Sequence, residues 1–103
     1  MTDSGSRDLN TLLAALESGE PEALAGLFSY YRDHLRRMVG IRMDNRLKGR
    51  VDESDILQEA YIDAEKRIQH FLNDRSVPFI IWLRQVTGQT LINLHRRHLG
   101  AKR

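Results

Sequence analysis

The chain has 103 residues, 41% of them apolar, and a formal net charge of +2, which suits one small domain with a single core. It contains no cysteine, which excludes disulfides, thiolate metal sites and a cysteine nucleophile. No run approaches the roughly 18 apolar residues of a membrane span, and the first six residues lack the pattern of a signal peptide. We therefore expect a soluble, cytoplasmic protein.

The charges are strongly segregated along the chain. Residues 1–31 hold five acids and one base, whereas residues 32–50 hold seven bases and two acids. Residues 51–65 then hold six acids and no base, and residues 75–103 hold six bases and no acid. Such blocks are often only solvated helix faces, but the last block could also follow a phosphate backbone.

The first half of the chain predicts two helices. Residues 7–18 carry leucines at helical spacing, and Gly19 follows as a stop. Pro21 suits the first position of a second helix, whose apolar residues repeat at intervals of three and four as far as Val39. Residues 44–53 are predicted to form a loop.

A third helix is predicted to begin after Ser54, which suits an N-cap, and to run to about Phe71. The acids of its first turn oppose the positive end of the helix dipole. Its predicted buried stripe consists of Leu57, Ala60, Tyr61, Ala64, Ile68 and Phe71.

Residues 73–76 read as a turn, and a last helix is predicted from Val77 and Pro78 to Gly100. Its middle is weakened by a glycine between two β-branched threonines. No strand pattern occurs, so the predicted fold is all-α, a small bundle of about four helices. We expect the helical domain to span residues 7–99, with flexible residues 1–6 before it.

A metal-dependent enzyme is one alternative, because the third helix carries a row of acids. Asp55, Glu59 and Asp63 share a face at spacing four, but a site would need ligands from a facing helix, and no Glu-x-x-His pair exists. His95 and His98 could ligate together, yet the two arginines between them would repel a cation. We therefore do not expect a metal-dependent hydrolase, and we predict no metal site and no cofactor.

Two features of the helices suit binding. Gln58 and Glu59 stand beside apolar Leu57 and Ile62, a mixed surface that could dock a basic protein or be an ordinary exposed face. Trp82, the single tryptophan, is either a core residue or a stacking surface for an unpaired base, and local chemistry leaves the two alternatives open.

The last helix carries a row of amide and guanidinium side chains at spacings of four, four and three, namely Gln85, Gln89, Asn93 and Arg96. These groups offer the paired donors and acceptors that suit adenine and guanine edges, whereas a merely solvated helix more often uses Glu and Lys. The absence of acids avoids repulsion of phosphate. The row therefore favours contact with nucleic acid.

Three segments in order resemble region 2 of bacterial sigma factors, and the extracytoplasmic-function (ECF) group fits best. They are Asp55-Ile-Leu-Gln-Glu-Ala-Tyr61, Phe79-x-x-Trp-Leu83 and Asn93-x-x-Arg-Arg97. The resemblance covers about residues 7–103. The segment from Arg46 to Asp52 is similar to the variety of this group that is abundant in planctomycetes.

The resemblance implies a promoter-specificity subunit, not itself an enzyme, that binds RNA polymerase and captures the promoter −10 element as it melts. The implied polymerase contact, to the clamp helices of the β′ subunit, involves Asp55, Gln58, Glu59 and Ile62, with Tyr61 packing inward. The loop before the last helix would accept a flipped base of the non-template strand, and the last helix would read its neighbours. The implied DNA-binding residues are Leu72, Asn73, Asp74, Arg75, Ser76, Trp82, Gln85, Gln89, Asn93, Arg96 and Arg97.

The chain departs from the ECF pattern in two respects. A second helical domain that reads the −35 element usually follows, so residues 100–103 are expected to be a truncated linker to a domain that is absent here. The group's last helix also often has Asn at position 89 and an acid at position 93, so the preferred bases do not transfer.

An anti-sigma protein is a further possible partner. The alternatives are a helical adaptor that never touches DNA and an independent duplex-binding protein.

Overall fold

The computed structural model describes residues 8–100, so the predicted flexible residues 1–6 and the end of the predicted linker, residues 101–103, lie outside the described part. About 82% of residues 8–100 are helical, and no strand occurs among them, which confirms the predicted all-α class. The helices are α1 (Leu9–Glu17), α2 (Glu22–Arg42), α3 (Asn45–Lys48), α4 (Glu53–Asn73) and α5 (Phe79–Leu99). Among residues 8–100, none of the helices combines the length and the apolar character that a membrane span requires.

The described residues divide into two compact units, one ending at Arg32 and the other beginning at Asp33. In the first unit, the carboxylate of Asp8 caps α1 by accepting from the Thr11 amide at 2.8 Å. Gly19 ends α1 with φ +86°, a conformation that glycine adopts without strain. The predicted stop is therefore confirmed. The buried apolar side chains of this unit are Leu12, Ala15, Leu16, Ala23, Leu24, Leu27 and Phe28.

The second unit is built on the packing of α4 against α5. Its fully buried side chains, at 0% exposure, include Leu47, Ile56, Leu57, Ala60, Ala64 and Leu83. Phe71, Phe79 and Trp82 form an aromatic cluster in which the ring centroids lie 5.0 to 5.7 Å apart. These separations are in the favourable range for aromatic pairs. The cluster fixes the corner where the loop of residues 74–78 joins the two helices.

The predicted loop of residues 44–53 is partly wrong, because it contains α3. Asp44 caps this short helix by accepting from the Arg46 amide at 2.8 Å, and Leu47 is fully buried. The Asp44 amide in turn donates to Nε2 of His95 on α5 at 3.1 Å. Burial of one leucine and contact with a distant helix stabilise a turn too short to be stable alone.

The prediction of Ser54 as the N-cap of α4 is also wrong, because Asp52 holds that position. The Asp52 carboxylate accepts from the Asp55 amide at 2.9 Å, and the Asp55 carboxylate accepts from the Asp52 amide at 3.2 Å. This reciprocal capping box satisfies two amides that the helix itself leaves without partners. The helix begins at Glu53 and continues to Asn73, two residues beyond the predicted end.

The predicted weakness in the middle of the last helix does not interrupt it, since α5 is continuous from Phe79 to Leu99. Thr87 and Thr90 are 0% and 2% exposed. The Thr87 hydroxyl donates to the Leu83 carbonyl at 2.9 Å. The Thr90 hydroxyl lies 3.0 Å from the Val86 carbonyl oxygen and 2.6 Å from Oδ2 of Asp63 on α4. Tertiary packing and these hydrogen bonds override the low helix propensity of threonine.

Candidate functional site

The predicted polymerase-binding residues form one surface, the α4 outer face, defined by Asp55, Gln58, Glu59 and Ile62. At 100° per residue these four positions span an arc of about 100° on the side of α4 opposite its buried residues. Asp55 and Gln58 are exposed, Glu59 is half-buried, and 48% of Ile62 is exposed. The face therefore combines carboxylates and an amide with an accessible apolar side chain.

The members of the α4 outer face are not equally available to a partner. One carboxylate oxygen of Asp55 already accepts from the Asp52 amide in the capping box. Oε2 of Glu59 lies 3.8 Å from Nη1 of Arg97 on α5, a long pair between half-exposed side chains. The Gln58 side chain is exposed and forms no hydrogen bond within residues 8–100, so it can exchange water for a partner's groups at little cost.

A cavity of about 500 Å³ lies where the end of α4, the following loop and the first half of α5 meet. Five of the predicted DNA-binding residues line it, namely Asp74, Ser76, Trp82, Gln85 and Gln89. Amide, hydroxyl and carboxylate groups therefore converge beside an aromatic surface. That combination suits a planar, hydrogen-bonding ligand such as a nucleobase.

The position of Trp82 favours the core alternative. The side chain is 9% exposed and packs against Phe71 and Phe79, so it is not an open stacking platform. It is buried because the apolar side of α5 turns its ring towards the end of α4. The small exposed part of the ring lines the cavity, where it can contact the edge of a ligand.

The remaining predicted loop residues lie outside the cavity lining. Leu72 is half-buried, Asn73 is the exposed last residue of α4, and Arg75 is exposed. Sequence reasoning missed five lining residues, namely Arg67, His70, Phe71, Val77 and Val86. Spacings of three and four along the end of α4 could have found Arg67, His70 and Phe71, because they put these residues on one side of the helix, next to the loop.

The polar row of α5 continues from the cavity towards the end of the helix. Gln85 and Gln89 belong to both, and the Gln89 amide donates to Oδ1 of Asn93 at 3.1 Å. Arg96 is exposed one turn further on. The row therefore presents the amides and the guanidinium predicted from the sequence on one accessible face.

The Arg97 side chain does not lie on the polar row, because its guanidinium reaches Glu59 on α4. The basic end of α5 and the α4 outer face are thus neighbouring surfaces joined by one weak ion pair. Between Asp8 and Gly100 no group of three His, Asp or Glu side chains is arranged to hold a metal ion.

A helical chain with a mixed acidic face, a polar cavity and a basic helix end has features that suit a nucleic-acid-binding protein. The sequence model of the ECF sigma factor family matches residues 6–103, so the chain belongs to the ECF sigma factor family. Members are non-catalytic promoter-specificity subunits that act with RNA polymerase core and promoter DNA. No curated protein and no solved structure matches the chain.

Proposed function

We propose that this chain binds the β′ clamp helices of RNA polymerase through the α4 outer face. In that complex it captures the non-template strand of the promoter −10 element as the duplex melts. The observation that carries the proposal is the continuity of the cavity with the α5 row, since Gln85 and Gln89 belong to both. A flipped base in the cavity would be followed directly by neighbouring nucleotides on the row.

The proposed melting needs no covalent chemistry. Extruding a base costs a few kcal/mol of stacking and pairing, and hydrogen bonds in the cavity offset that cost only for the open strand. Arg67 and His70 add cationic or hydrogen-bonding groups at the α4 wall of the cavity, within reach of the backbone of such a nucleotide. The open duplex is therefore favoured by differential binding.

The α4 outer face supplies the second half of the proposal. Gln58 and Ile62 are exposed, which allows polar and apolar contacts with a helical partner. Polymerase that engages Glu59 would compete for its pair with Arg97, which frees this guanidinium for phosphate. The same face would be blocked by an anti-sigma protein, and the function requires the chain to act in the cytoplasm.

The first test is binding of the chain to the isolated clamp-helix fragment of β′. Replacing Gln58 and Glu59 together by alanine should weaken binding at least about tenfold, as expected when central interface groups are lost. The matched control replaces Glu65 and Gln69, the same two residue types on exposed positions of the same helix, and should bind like the wild type. Equal binding by all three proteins would refute the assignment of the α4 outer face.

A second test addresses DNA with polymerase core present. Replacing Arg96 by Glu should abolish crosslinking to single-stranded non-template DNA but leave clamp-helix binding unchanged, because Arg96 is exposed on the α5 row and, unlike Arg97, forms no ion pair with α4 within residues 8–100. Arg97 is a poorer choice, since its replacement by Glu would also place a carboxylate beside Glu59. Polymerase-independent binding of another protein, with no crosslink even for the wild type, would favour the adaptor alternative.

A further inference from the structure

The basic segment between Asp33 and Arg50 has no role in the function proposed above. All its cations are exposed, namely Arg36, Arg37, Arg42, Arg46, Lys48 and Arg50. Three of them, Arg42, Arg46 and Arg50, recur at intervals of four, and we call these three the arginine ladder. The first lies on α2 and the others on or after α3; Arg42 and Arg50 reach α5 themselves, whereas Arg46 is held next to α5 through Asp44.

The ladder follows α5 from its middle to its end. Nη1 of Arg42 lies 3.5 Å from the point that a Cβ on Gly88 would occupy. Arg46 is forked onto Asp44, whose amide donates to His95, and Arg50 donates to the His98 carbonyl. Residues 88 to 98 span about 15 Å of helix. The contacts therefore place the guanidinium groups of Arg42 and Arg50 near residues 88 and 98 of α5, and the Arg46 guanidinium lies on Asp44, next to His95.

Asp44 is the acid most closely associated with the ladder, and it does not remove the ladder's capacity for phosphate. Two hydrogen bonds at 3.1 Å from the Arg46 side chain hold the carboxylate, and they lower its pKa to about 2. The Arg46 side chain is still 72% exposed, and a guanidinium with five N–H groups retains three for other acceptors. Arg42 and Arg50 contribute two further charges.

The ladder and the polar row lie on different sides of α5. Gly88, beside Arg42, and His95, which accepts from the Asp44 amide, lie about 100° around the helix from the centre of the row, and Arg50 reaches α5 through the main-chain carbonyl of His98. Ile92, 46% exposed, lies between the two lines. A single strand bound along the polar row would not also reach the arginine ladder. A duplex has two backbones, whose phosphates lie on either side of a groove, so it can contact both surfaces.

We propose that the arginine ladder binds the phosphates of double-stranded DNA adjoining the single strand held by α5. This inference rests on the proposed function, because it takes α5 to be the DNA-binding helix. The ladder would add affinity without reading bases, since guanidinium contacts to phosphate carry no sequence information directly.

The test compares two fluorescent probes with the complete chain bound to RNA polymerase core. One probe is a single strand containing a randomised segment, and the other is the same strand with a duplex arm. The variant replaces Arg42 and Arg46 by Gln, and the control replaces Arg37 and Lys48 by Gln. The control removes the same charge from α2 and α3, but these residues line cavities beside Glu53 and not α5.

For the duplex-armed probe, the ladder variant should bind about tenfold more weakly and show a salt slope smaller by about two, one unit per lost phosphate contact. The control variant should bind like the wild type, and all proteins should bind the single strand within about twofold of each other. Equal loss in both variants, or equal loss on both probes, would overturn the proposal.

Failure of the proposed function gives a different pattern. The wild type would then bind neither the clamp-helix fragment nor the single strand. The arginine ladder would then be tested by measuring binding of the duplex arm alone to the chain, at low salt and without polymerase. Weaker binding by the ladder variant than by the control variant would still support it, and equal binding would overturn it. Thermal unfolding of each variant, followed by circular dichroism, checks that the fold is retained.

Discussion

Helices α4 and α5 have the same length, 21 residues, but differ in how their structure is specified. α4 begins with a capping box and buries a stripe of apolar residues, which leaves one side for a partner. α5 begins after Pro78 without a side-chain cap and buries eight residues, two of them threonines. The comparison indicates that local sequence signals largely define α4, whereas α5 depends on what packs against it.

The same difference applies to the two candidate surfaces. The α4 outer face needs only one helix, so its four residues can be deduced from helical periodicity. The α5 surface is completed by other elements: the end of α4 and the loop at the cavity, and α3 at the basic end. Mutations can therefore show how much of the stability of each helix comes from its local sequence and how much comes from packing against other elements.

The largest expected effect comes from removing the aromatic anchor of α5. Trp82→Ala should lower the free energy of unfolding by about 3 to 5 kcal/mol, because a buried indole leaves a cavity beside Phe71 and Phe79. Urea unfolding followed by circular dichroism measures this. Trp82→Phe retains an aromatic ring and should cost less. An unchanged stability in the alanine variant would mean that Trp82 contributes no core packing.

A smaller effect is expected at the polar contact between the two helices. Thr90→Val removes the hydroxyl that lies 2.6 Å from the Asp63 carboxylate, and should cost about 1 to 2 kcal/mol because a partly buried acceptor loses its donor. Thr87→Val is the matched control. Its hydroxyl bonds to the carbonyl of Leu83, four residues earlier, so its loss should cost less. Urea unfolding of both variants measures the loss in the free energy of unfolding. Equal losses in the two variants would contradict a stabilising contribution of the Asp63 contact.

The start of α4 tests the local signals. Asp52→Ala removes the N-cap and half of the capping box, with an expected cost of about 1 kcal/mol. Ser54→Ala, in the first turn of the same helix, should be nearly neutral because Ser54 does not cap it. Chemical denaturation of the two variants measures the difference. A larger cost at Ser54 would restore the N-cap predicted from the sequence.

The smallest effect concerns the junction of α3 with α5 at low pH. Hydrogen bonds from Arg46 lower the pKa of Asp44 from 3.8 to about 2. A folded-state pKa below the unfolded value means that the stabilisation is complete above about pH 4 and is lost as the pH falls towards 2. Urea unfolding between pH 5 and pH 2 should therefore give a flatter stability profile for Asp44→Asn than for the wild type. Identical slopes would contradict this contribution.

Much of the fold follows from the sequence because its signals are local. The leucine spacing before Gly19 and the apolar repeat of the second helix predict α1 and α2, and the periodicity of α4 predicts its outer face. The N-cap at Asp52 was missed although Asp52 and Asp55 have capping-box spacing. Ser54 is also a good N-cap residue, and local preference alone does not rank the two.

Tertiary structure decided what depends on distant partners. Helix α3 is too short to be stable alone and exists through the burial of Leu47 and the hydrogen bond to His95. The burial of Trp82 depends on Phe71, and the cavity depends on Arg67 and His70 meeting the loop and α5.

The sequence by itself determined the helical class, the segregation of charge and the residue types of both candidate surfaces. It could do so because helical periodicity and charge are properties of neighbouring residues. Only the tertiary structure decided that Trp82 belongs to the core, that a cavity joins the α5 row, and that Arg42, Asp44 and Arg50 contact or lie beside α5. These features arise from contacts between residues far apart in the chain, and their free energies are set by packing that no single segment contains.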